Sequence, residues 1–180
     1  MNFGRQGESC IHICFIILGM YRRICVLLAA LALPLAGAGD APLDRATLHG
    51  VGAVGVVIDP VAPEIEKEGV TMDGLRMRLE EGLRNADIQM DTTSKAFLGL
   101  RLRSVRAARG PLAIAITIGL YQPVTLVRDP SVRTAAATWE VDTVILADTK
   151  QVYRACIDLA DELTGRFVTA YRSVNESRGK

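Results

Sequence analysis

The stretch that decides the fold is Phe-Leu-Gly-Leu-Arg-Leu-Arg-Ser-Val at residues 97–105. Leucines at alternate positions are separated by glycine and arginine, and a period of two residues is typical of a strand with one buried and one wet face. The same alternation recurs at Ile114–Leu120, beyond a turn at Arg109-Gly110-Pro111. These two segments therefore predict neighbouring antiparallel strands of one sheet.

Toward the C-terminus, the pattern predicts one more strand and a long helix. Pro123 cannot donate a ladder hydrogen bond, so the strand is bulged there or lies at an edge. After a turn at Arg128–Ser131, the segment Ala135–Leu146 predicts a strand that changes phase. Its expected apolar positions are Ala137, Trp139, Val141, Val144 and Leu146. Apolar residues from Tyr153 to Val174 then recur at helical spacing, which predicts an amphipathic helix of about twenty-five residues.

Toward the N-terminus, the pattern predicts a strand, a helix and a short strand. Val51–Ile58 is an apolar run closed by Asp59-Pro60, which favours a strand buried on both faces. Apolar residues at intervals of three and four predict a helix over Thr71–Ala86, with the threonine as its cap. Residues 88–90 are the next short strand. The first strand, helix and short strand are expected to form a parallel unit.

The predicted order is β-α-β-β-β-β-α, which indicates an α+β fold. Each helix has a single apolar face, so both are expected on one side of the sheet. We therefore predict a two-layer sandwich with a mixed sheet of four to five strands and one domain over residues 39–180.

Residues 21–38 have the layout of a secretory signal. Tyr21-Arg22-Arg23 precedes the apolar run Ile24–Ala38, which ends in small residues spaced as signal peptidase requires. We predict a signal peptide over residues 20–38, cleavage after Ala38, and a periplasmic or secreted protein. Residues 1–19 are interpreted as a start-site artefact preceding Met20, or as an extended n-region. The rival hypothesis is an uncleaved membrane anchor, which would have to bury an arginine pair.

Cleavage after Ala38 would change the chemistry available to the chain. Of the four cysteines only Cys156 would remain, so no internal disulfide is expected. The formal net charge would fall from +1 to −1, which does not favour nucleic acid as a partner. No stable transmembrane span is expected in the mature chain.

Few side chains of the mature chain are suited to catalysis. His49 is its single histidine and precedes the first strand, and Cys156 falls on the apolar stripe of the last helix. We therefore predict no metal site, no cofactor and no catalytic residue. The alternative hypothesis is a small hydrolase or transferase that uses carboxylates such as Asp158 and Asp161 on the last helix.

Arginines are the candidate ligand-binding residues. Arg101 and Arg103 share the face opposite the leucines, and Arg106 and Arg109 follow toward the turn. Four guanidinium groups would bind phosphates or carboxylates of an envelope component through paired hydrogen bonds. The alternative is an ordinary wet sheet face, on which Glu140 or Asp142 of a neighbouring strand pairs with these cations.

This layout resembles bacterial envelope proteins of the lipopolysaccharide-assembly lipoprotein type. Several periplasmic families show phrases comparable to Gly69–Ala86 followed by Ile88, and to Thr138-Trp139. The resemblance covers most of Leu48–Val174 and implies a non-enzymatic helper that contacts an outer-membrane partner and lipopolysaccharide. The chain departs from that type because no lipid-anchor cysteine follows its signal.

These observations together predict a non-catalytic periplasmic or secreted domain. Its expected partner is an envelope protein or an anionic lipid or glycan, bound through the arginine face or a sheet edge.

Overall fold

Strands and helices alternate at first and then give way to a three-stranded meander and a closing helix. The computed structural model describes residues 39–106 and 110–176, so residues 1–38, with the predicted signal and its cleavage point, and Arg109 lie outside the described residues. The elements are α1 Pro42–Ala46, β1 Ala53–Ile58, α2 Pro63–Glu66, α3 Met72–Asn85, β2 Gln89–Met90, β3 Phe97–Arg106, β4 Leu112–Leu126, β5 Asp129–Ala147, a 3₁₀ turn at Thr149–Gln151, and α4 Val152–Asn175.

One mixed sheet of five strands has the order β2-β1-β3-β4-β5. Strand β1 lies parallel to both β2 and β3, and β3, β4 and β5 form an antiparallel meander. The predicted fold class, an α+β two-layer sandwich, is confirmed, and so is the parallel β1-α3-β2 unit.

The core lies between one face of the sheet and the two long helices. Trp139 of β5 and Phe167 of α4 are both fully buried, with ring centroids 5.3 Å apart in an edge-on arrangement. Cys156 is fully buried, as its place on the apolar stripe of the last helix predicts. The sheet contributes alternate residues and the helices one stripe each: Leu98, Leu100, Leu102, Ile114, Ile116 and Ile118 from β3 and β4, and Leu75, Leu79, Leu83, Ala160 and Leu163 from α3 and α4.

Helix α3 begins where the sequence places its cap. Thr71 has an extended backbone, and its hydroxyl accepts a hydrogen bond from the backbone N–H of Gly74 at 3.1 Å. Such a cap contributes about 1 kcal/mol to helix stability. The cap and the apolar stripe therefore fix where α3 begins and which face it presents to the sheet.

Two strand predictions were wrong in detail. Strand β1 is not buried on both faces, because Val57 is 41% exposed on the face without helices. In β5 the phase changes at Thr138, since Leu120 is paired with Trp139 and Tyr121 with Ala137. That bulge keeps Trp139 and Val141 in the core, and Val144 and Leu146, expected inside, point outward instead.

Strands β4 and β5 continue past the rest of the sheet as a two-stranded ribbon. The pairing of β3 with β4 ends at Tyr121, whereas β4 and β5 remain paired to Leu126 and Asp129. Pro123 lies in this ribbon opposite Ala135, where β4 has lost β3 as a neighbour. The edge alternative for Pro123 is therefore confirmed.

Candidate binding face of the sheet

The sheet face opposite the helices is not covered by any other part of residues 39–106 or 110–176. Alternation along β3, β4 and β5, together with their register, brings fourteen outward residues to one surface, and Val57 of β1 lies beside them. We call this surface the open face: Val57 of β1; Phe97, Gly99, Arg101, Arg103 and Val105 of β3; Ala113, Ala115, Thr117, Gly119 and Tyr121 of β4; Glu140, Asp142, Val144 and Leu146 of β5.

An ion pair joins β3 to the residue that follows β1, on the β1 side of the open face. The Arg101 Nε atom lies 2.8 Å from Asp59 Oδ2, and one terminal nitrogen of Arg101 lies 3.4 Å from the Tyr121 hydroxyl. The hydrogen bond to Asp59 is the main reason that the pKa of Arg101 lies above its ordinary value. Arg101 is thus held in place as a permanent cation beside a phenol.

A small cavity opens beside this ion pair. Its volume is about 260 Å³, and its lining includes Gly99, Thr117, Tyr121 and Asp59. The rings of Phe97 and Tyr121 are stacked, with centroids 5.0 Å apart. A Cβ at position 99 would lie 3.0 Å from the Tyr121 ring, so glycine is the residue that lets this ring lie flat on the sheet.

Arg103 is the exposed cation of the open face. It lies in register with Ala115 of β4, which is paired in turn with Val144 of β5. Among the residues that the structure describes, no carboxylate lies within ion-pair distance of Arg103. The alternative of cross-strand ion pairs is confirmed for Arg101, which pairs with Asp59 at the end of the neighbouring strand β1. In the described part of the chain neither Glu140 nor Asp142 forms an ion pair with Arg101 or Arg103, because β4 lies between β3 and β5.

Arg106 lies on the other side of the sheet. It is paired with the buried residue Leu112, and its guanidinium lies 3.4 Å from the Thr149 hydroxyl. The structure therefore places two of the four predicted arginines, Arg101 and Arg103, on the open face. Their role in binding a ligand stays a prediction.

One end of the open face is apolar, which the sequence interpretation missed. Val105, Leu146 and Val144 are 73%, 72% and 65% exposed, and they surround the outward alanines of β4. The signal was present in the sequence, since Val105 has the same parity as Arg101 and Arg103 in β3, and Val144 and Leu146 stand two positions apart in β5. It was concealed by the bulge at Thr138, which sets the phase of β5.

The carboxylates of the enzyme hypothesis do not converge. Asp161 is paired with Arg78 at 2.6 Å and lines a groove of about 430 Å³ between α3 and α4. Asp158 lies 3.5 Å from Arg154 and lines a different groove of about 570 Å³. A pair of carboxylates acting as acid and base would have to face one cavity.

Other candidate groups lie apart from the open face. Burial raises the pKa of the Cys156 thiol to about 11, which makes it a poor nucleophile at neutral pH. His49 is exposed. In the parts of the chain that the structure describes, histidine, cysteine and carboxylate side chains form no cluster suited to a metal ion. Over the same residues, none of the helices is both long and apolar enough to span a bilayer.

Comparison with known proteins gives structural similarity only. Neither a family model nor a curated protein matches the sequence. Among solved structures, the chain is similar to PelC from Paraburkholderia phytofirmans, solved as a dodecamer, with 13% identity, a TM-score of 0.36, and coverage of 67% of this chain and 86% of that one. It is also similar to the minor lipoprotein from Acinetobacter baumannii, with 8% identity, a TM-score of 0.35, and coverage of 68% of this chain and 91% of that one. For rare lipoprotein B from Shewanella oneidensis the identity is 10%, the TM-score is 0.36, and coverage is 67% of this chain and 94% of that one. Similarity at this level carries no information on function.

Proposed function

We propose that this chain is a non-catalytic exported domain that binds an envelope protein or an anionic envelope ligand through its open face. The observation that carries the proposal is the uncovered face itself. It combines a cation, Arg103, that has no acidic partner among the described residues, with three exposed aliphatic side chains, Val105, Val144 and Leu146. The export of the domain to the periplasm or beyond is inferred from residues 21–38.

The chemistry of the face supports binding. Burying one of the exposed aliphatic side chains against a partner would contribute about 1.5–3 kcal/mol. Arg103 stands directly beside this apolar end, where a guanidinium would bind a phosphate or carboxylate in the fork geometry that arginine favours. Arginine is among the residue types that most often dominate the binding energy of an interface.

Affinity capture from a fractionated bacterial envelope tests this proposal. The protein, produced with its own signal and a C-terminal tag, is incubated with membrane and soluble envelope fractions at 50 and 500 mM salt. We expect capture of one protein or lipid species, reduced at high salt because Arg103 contributes electrostatically. The variants Arg103→Glu and Leu146→Asp should each reduce capture at least tenfold.

A matched control distinguishes an effect of the open face on capture from a general effect of surface charge. Arg84→Glu makes the same charge change on the exposed surface of α3, away from the sheet, and should leave capture unchanged. Equal capture by all the variants, or no captured species from any fraction, would contradict the proposal.

A further inference from the structure

The two edges of the sheet differ greatly in how much backbone they present. Strand β2 forms one edge with two residues, and β5 forms the other with nineteen. A short edge strand offers little to another chain, whereas a long one presents a row of N–H and C=O groups. The edge of β5 is therefore the place where this sheet can be extended.

The register shows which backbone groups of β5 point away from β4. These groups alternate between the two sides of a strand, so one outward bond fixes the direction of the others. The Glu140 N–H points outward, because it donates to the Gly39 carbonyl at 3.4 Å. The bulge at Thr138 precedes this point, and pairing with β4 is regular from there to the end of the strand. The next residues whose N–H and C=O groups point outward are therefore Asp142, Val144 and Leu146.

The outward groups of β5 have partners only where the N-terminal segment lies against the strand. The Thr138 carbonyl accepts from the Thr47 hydroxyl at 3.0 Å, and the Glu140 N–H is bonded to Gly39. Beyond Glu140, no backbone group within residues 39–106 or 110–176 bonds to the outward groups of β5. The side chains along this stretch alternate between buried and exposed, and the exposed ones belong to the residues with outward backbone groups. The edge at residues 142–146 is therefore open.

The sequence of this edge lacks the features by which sheets discourage pairing with another chain. Lysine, proline and bulges are the usual devices. Residues 141–147, Val-Asp-Thr-Val-Ile-Leu-Ala, contain neither lysine nor proline, and they pair with β4 without a bulge. Four of the seven are β-branched, which favours the extended conformation. An edge of this composition is suited to receiving a strand.

We propose that an extended segment of a partner protein pairs with β5 at residues 142–146 and adds a sixth strand to the sheet. The groups on the edge identify the occupant, because they repeat about every 6.8 Å and an extended polypeptide presents matching donors and acceptors at the same repeat. A lipid headgroup offers no such row. This inference rests on the proposed function for the envelope origin of the partner, and it adds the class of partner and the way that it binds.

The side chains beside the open edge predict the sequence of the added strand. Directly opposed residues on paired strands share a face, where aliphatic pairs and opposite charges stabilise the pairing. Val144 and Leu146 favour aliphatic residues opposite them. Asp142, which forms no ion pair with any cation that the structure describes, favours lysine or arginine. The partner segment should therefore carry two aliphatic residues and one basic residue at alternate positions.

Position 144 tests whether the backbone of the edge carries the binding. Val144→Pro removes an outward N–H, and proline is tolerated in an edge strand whose N–H faces solvent. Val144→Ala keeps the N–H and removes most of the aliphatic side chain. In capture from the envelope fractions, we expect Val144→Pro to reduce recovery at least tenfold and Val144→Ala to reduce it less than threefold. Circular dichroism and Tm verify that both variants are folded.

A defined peptide tests the edge with the protein itself unchanged. The probe is acetyl-Ser-Ile-Thr-Val-Thr-Lys-Lys-amide, which has two aliphatic residues and a lysine at alternate positions. In a titration of the nitrogen-15-labelled exported protein to about 5 mM peptide, the amide signals of Asp142, Val144 and Leu146 should shift with one dissociation constant. Methylation of the backbone nitrogen of the peptide's valine, which faces β5, should raise that constant at least tenfold. Methylation at either neighbouring threonine, whose N–H faces away, should change it less than threefold.

Three results would overturn the added strand. They are the absence of peptide-induced shifts at these amides, equal weakening by methylation at valine and at threonine, and a greater loss of capture from Val144→Ala than from Val144→Pro. In the last case the side chains of the open face carry the binding, and the proposed function stands without the edge. A dimer in sedimentation equilibrium that Val144→Pro dissociates would assign the edge to a second copy and overturn the partner protein. If the peptide binds as expected and no envelope species is captured, the strand-binding edge stands and the proposed envelope function fails.

Discussion

Gly82 of α3 lies so close to Thr164 of α4 that a Cβ on the glycine would stand 2.7 Å from Thr164 Cγ2. The methyl group cannot turn away freely, because the Thr164 hydroxyl donates to the Ala160 carbonyl at 2.6 Å. The two helices therefore pack at a distance that only glycine permits at position 82.

Gly82→Ala should destabilise the protein although alanine is the better helix former. The gain in helix propensity is about 1 kcal/mol, and overpacking a close helix contact costs about 1–3 kcal/mol. We expect a net loss of about 1 kcal/mol in the free energy of unfolding, measured by urea denaturation. Gly165→Ala is the matched control, because a Cβ there meets no atom within 4 Å and should stabilise by about 1 kcal/mol. A stabilised Gly82→Ala variant would refute the close contact.

Asp40 should stabilise the fold in a pH-dependent way. Burial opposes its ionisation, but hydrogen bonds from Arg45 at 2.6 and 2.8 Å and from the Trp139 indole at 3.0 Å outweigh it, so the pKa lies below the ordinary value of 3.8. A lowered pKa gives stability that is present above pH 3.8 and is lost as the pH falls through the folded-state pKa. Asp40→Asn should lose about 1–3 kcal/mol at pH 7.

Urea titrations of wild type and Asp40→Asn at pH 7, 5 and 3 check the direction of this pH dependence. The difference in the free energy of unfolding between wild type and Asp40→Asn should be the same at pH 7 and 5 and smaller at pH 3. A difference that grows toward acid pH would contradict a lowered pKa.

Cys156 should be unreactive in the folded protein. Its thiol is fully buried and its pKa is about 11, so little thiolate is present at pH 8. We expect no modification by a thiol reagent in buffer and stoichiometric modification in 6 M guanidinium chloride. Rapid labelling of the folded protein would show that α4 opens or that the thiol is accessible.

The ion pair between Arg101 and Asp59 should contribute little to stability. Their side chains are 39% and 41% exposed, and pairs in such surroundings contribute less than about 1 kcal/mol. Arg101→Gln should therefore leave the free energy of unfolding within about 1 kcal/mol of wild type. Leu100→Ala, next to it on the buried face, should cost about 2–5 kcal/mol. A large loss from Arg101→Gln would show that the ion pair supports the fold.

The sequence predicted those elements whose period is unambiguous. Alternating leucines and isoleucines in β3 and β4, and the apolar stripes of α3 and α4, predict strands, helices and the face that each buries. Strand β5 is different, since Val141, Val144, Ile145 and Leu146 include both odd and even positions. The local pattern therefore does not show which set of alternate positions faces the core. That choice is made by the bulge at Thr138, which depends on pairing with β4.

The site was predicted only where it depends on alternation. Arg101 and Arg103 share a face because they stand two positions apart in the strand, whereas Arg106 has the opposite parity and lies on the helix side. The partner of Arg101 is Asp59, which is 42 residues away and adjacent only because β1 and β3 are paired. A contact of that kind is set by sheet order, which periodicity does not reveal.

Beyond Tyr121, β4 and β5 form a ribbon whose strands are paired only with each other. Residues 123–135 are paired by one ladder of hydrogen bonds, their side chains are mostly exposed, and Val127 at the tip is fully exposed. A lone two-stranded ribbon is marginally stable in water, so it should open without disturbing the packed body. Trypsin should therefore cleave at Arg128 under conditions in which the remaining sheet resists digestion, and the amide protons of the ribbon should exchange long before those of Ile116 and Ile118.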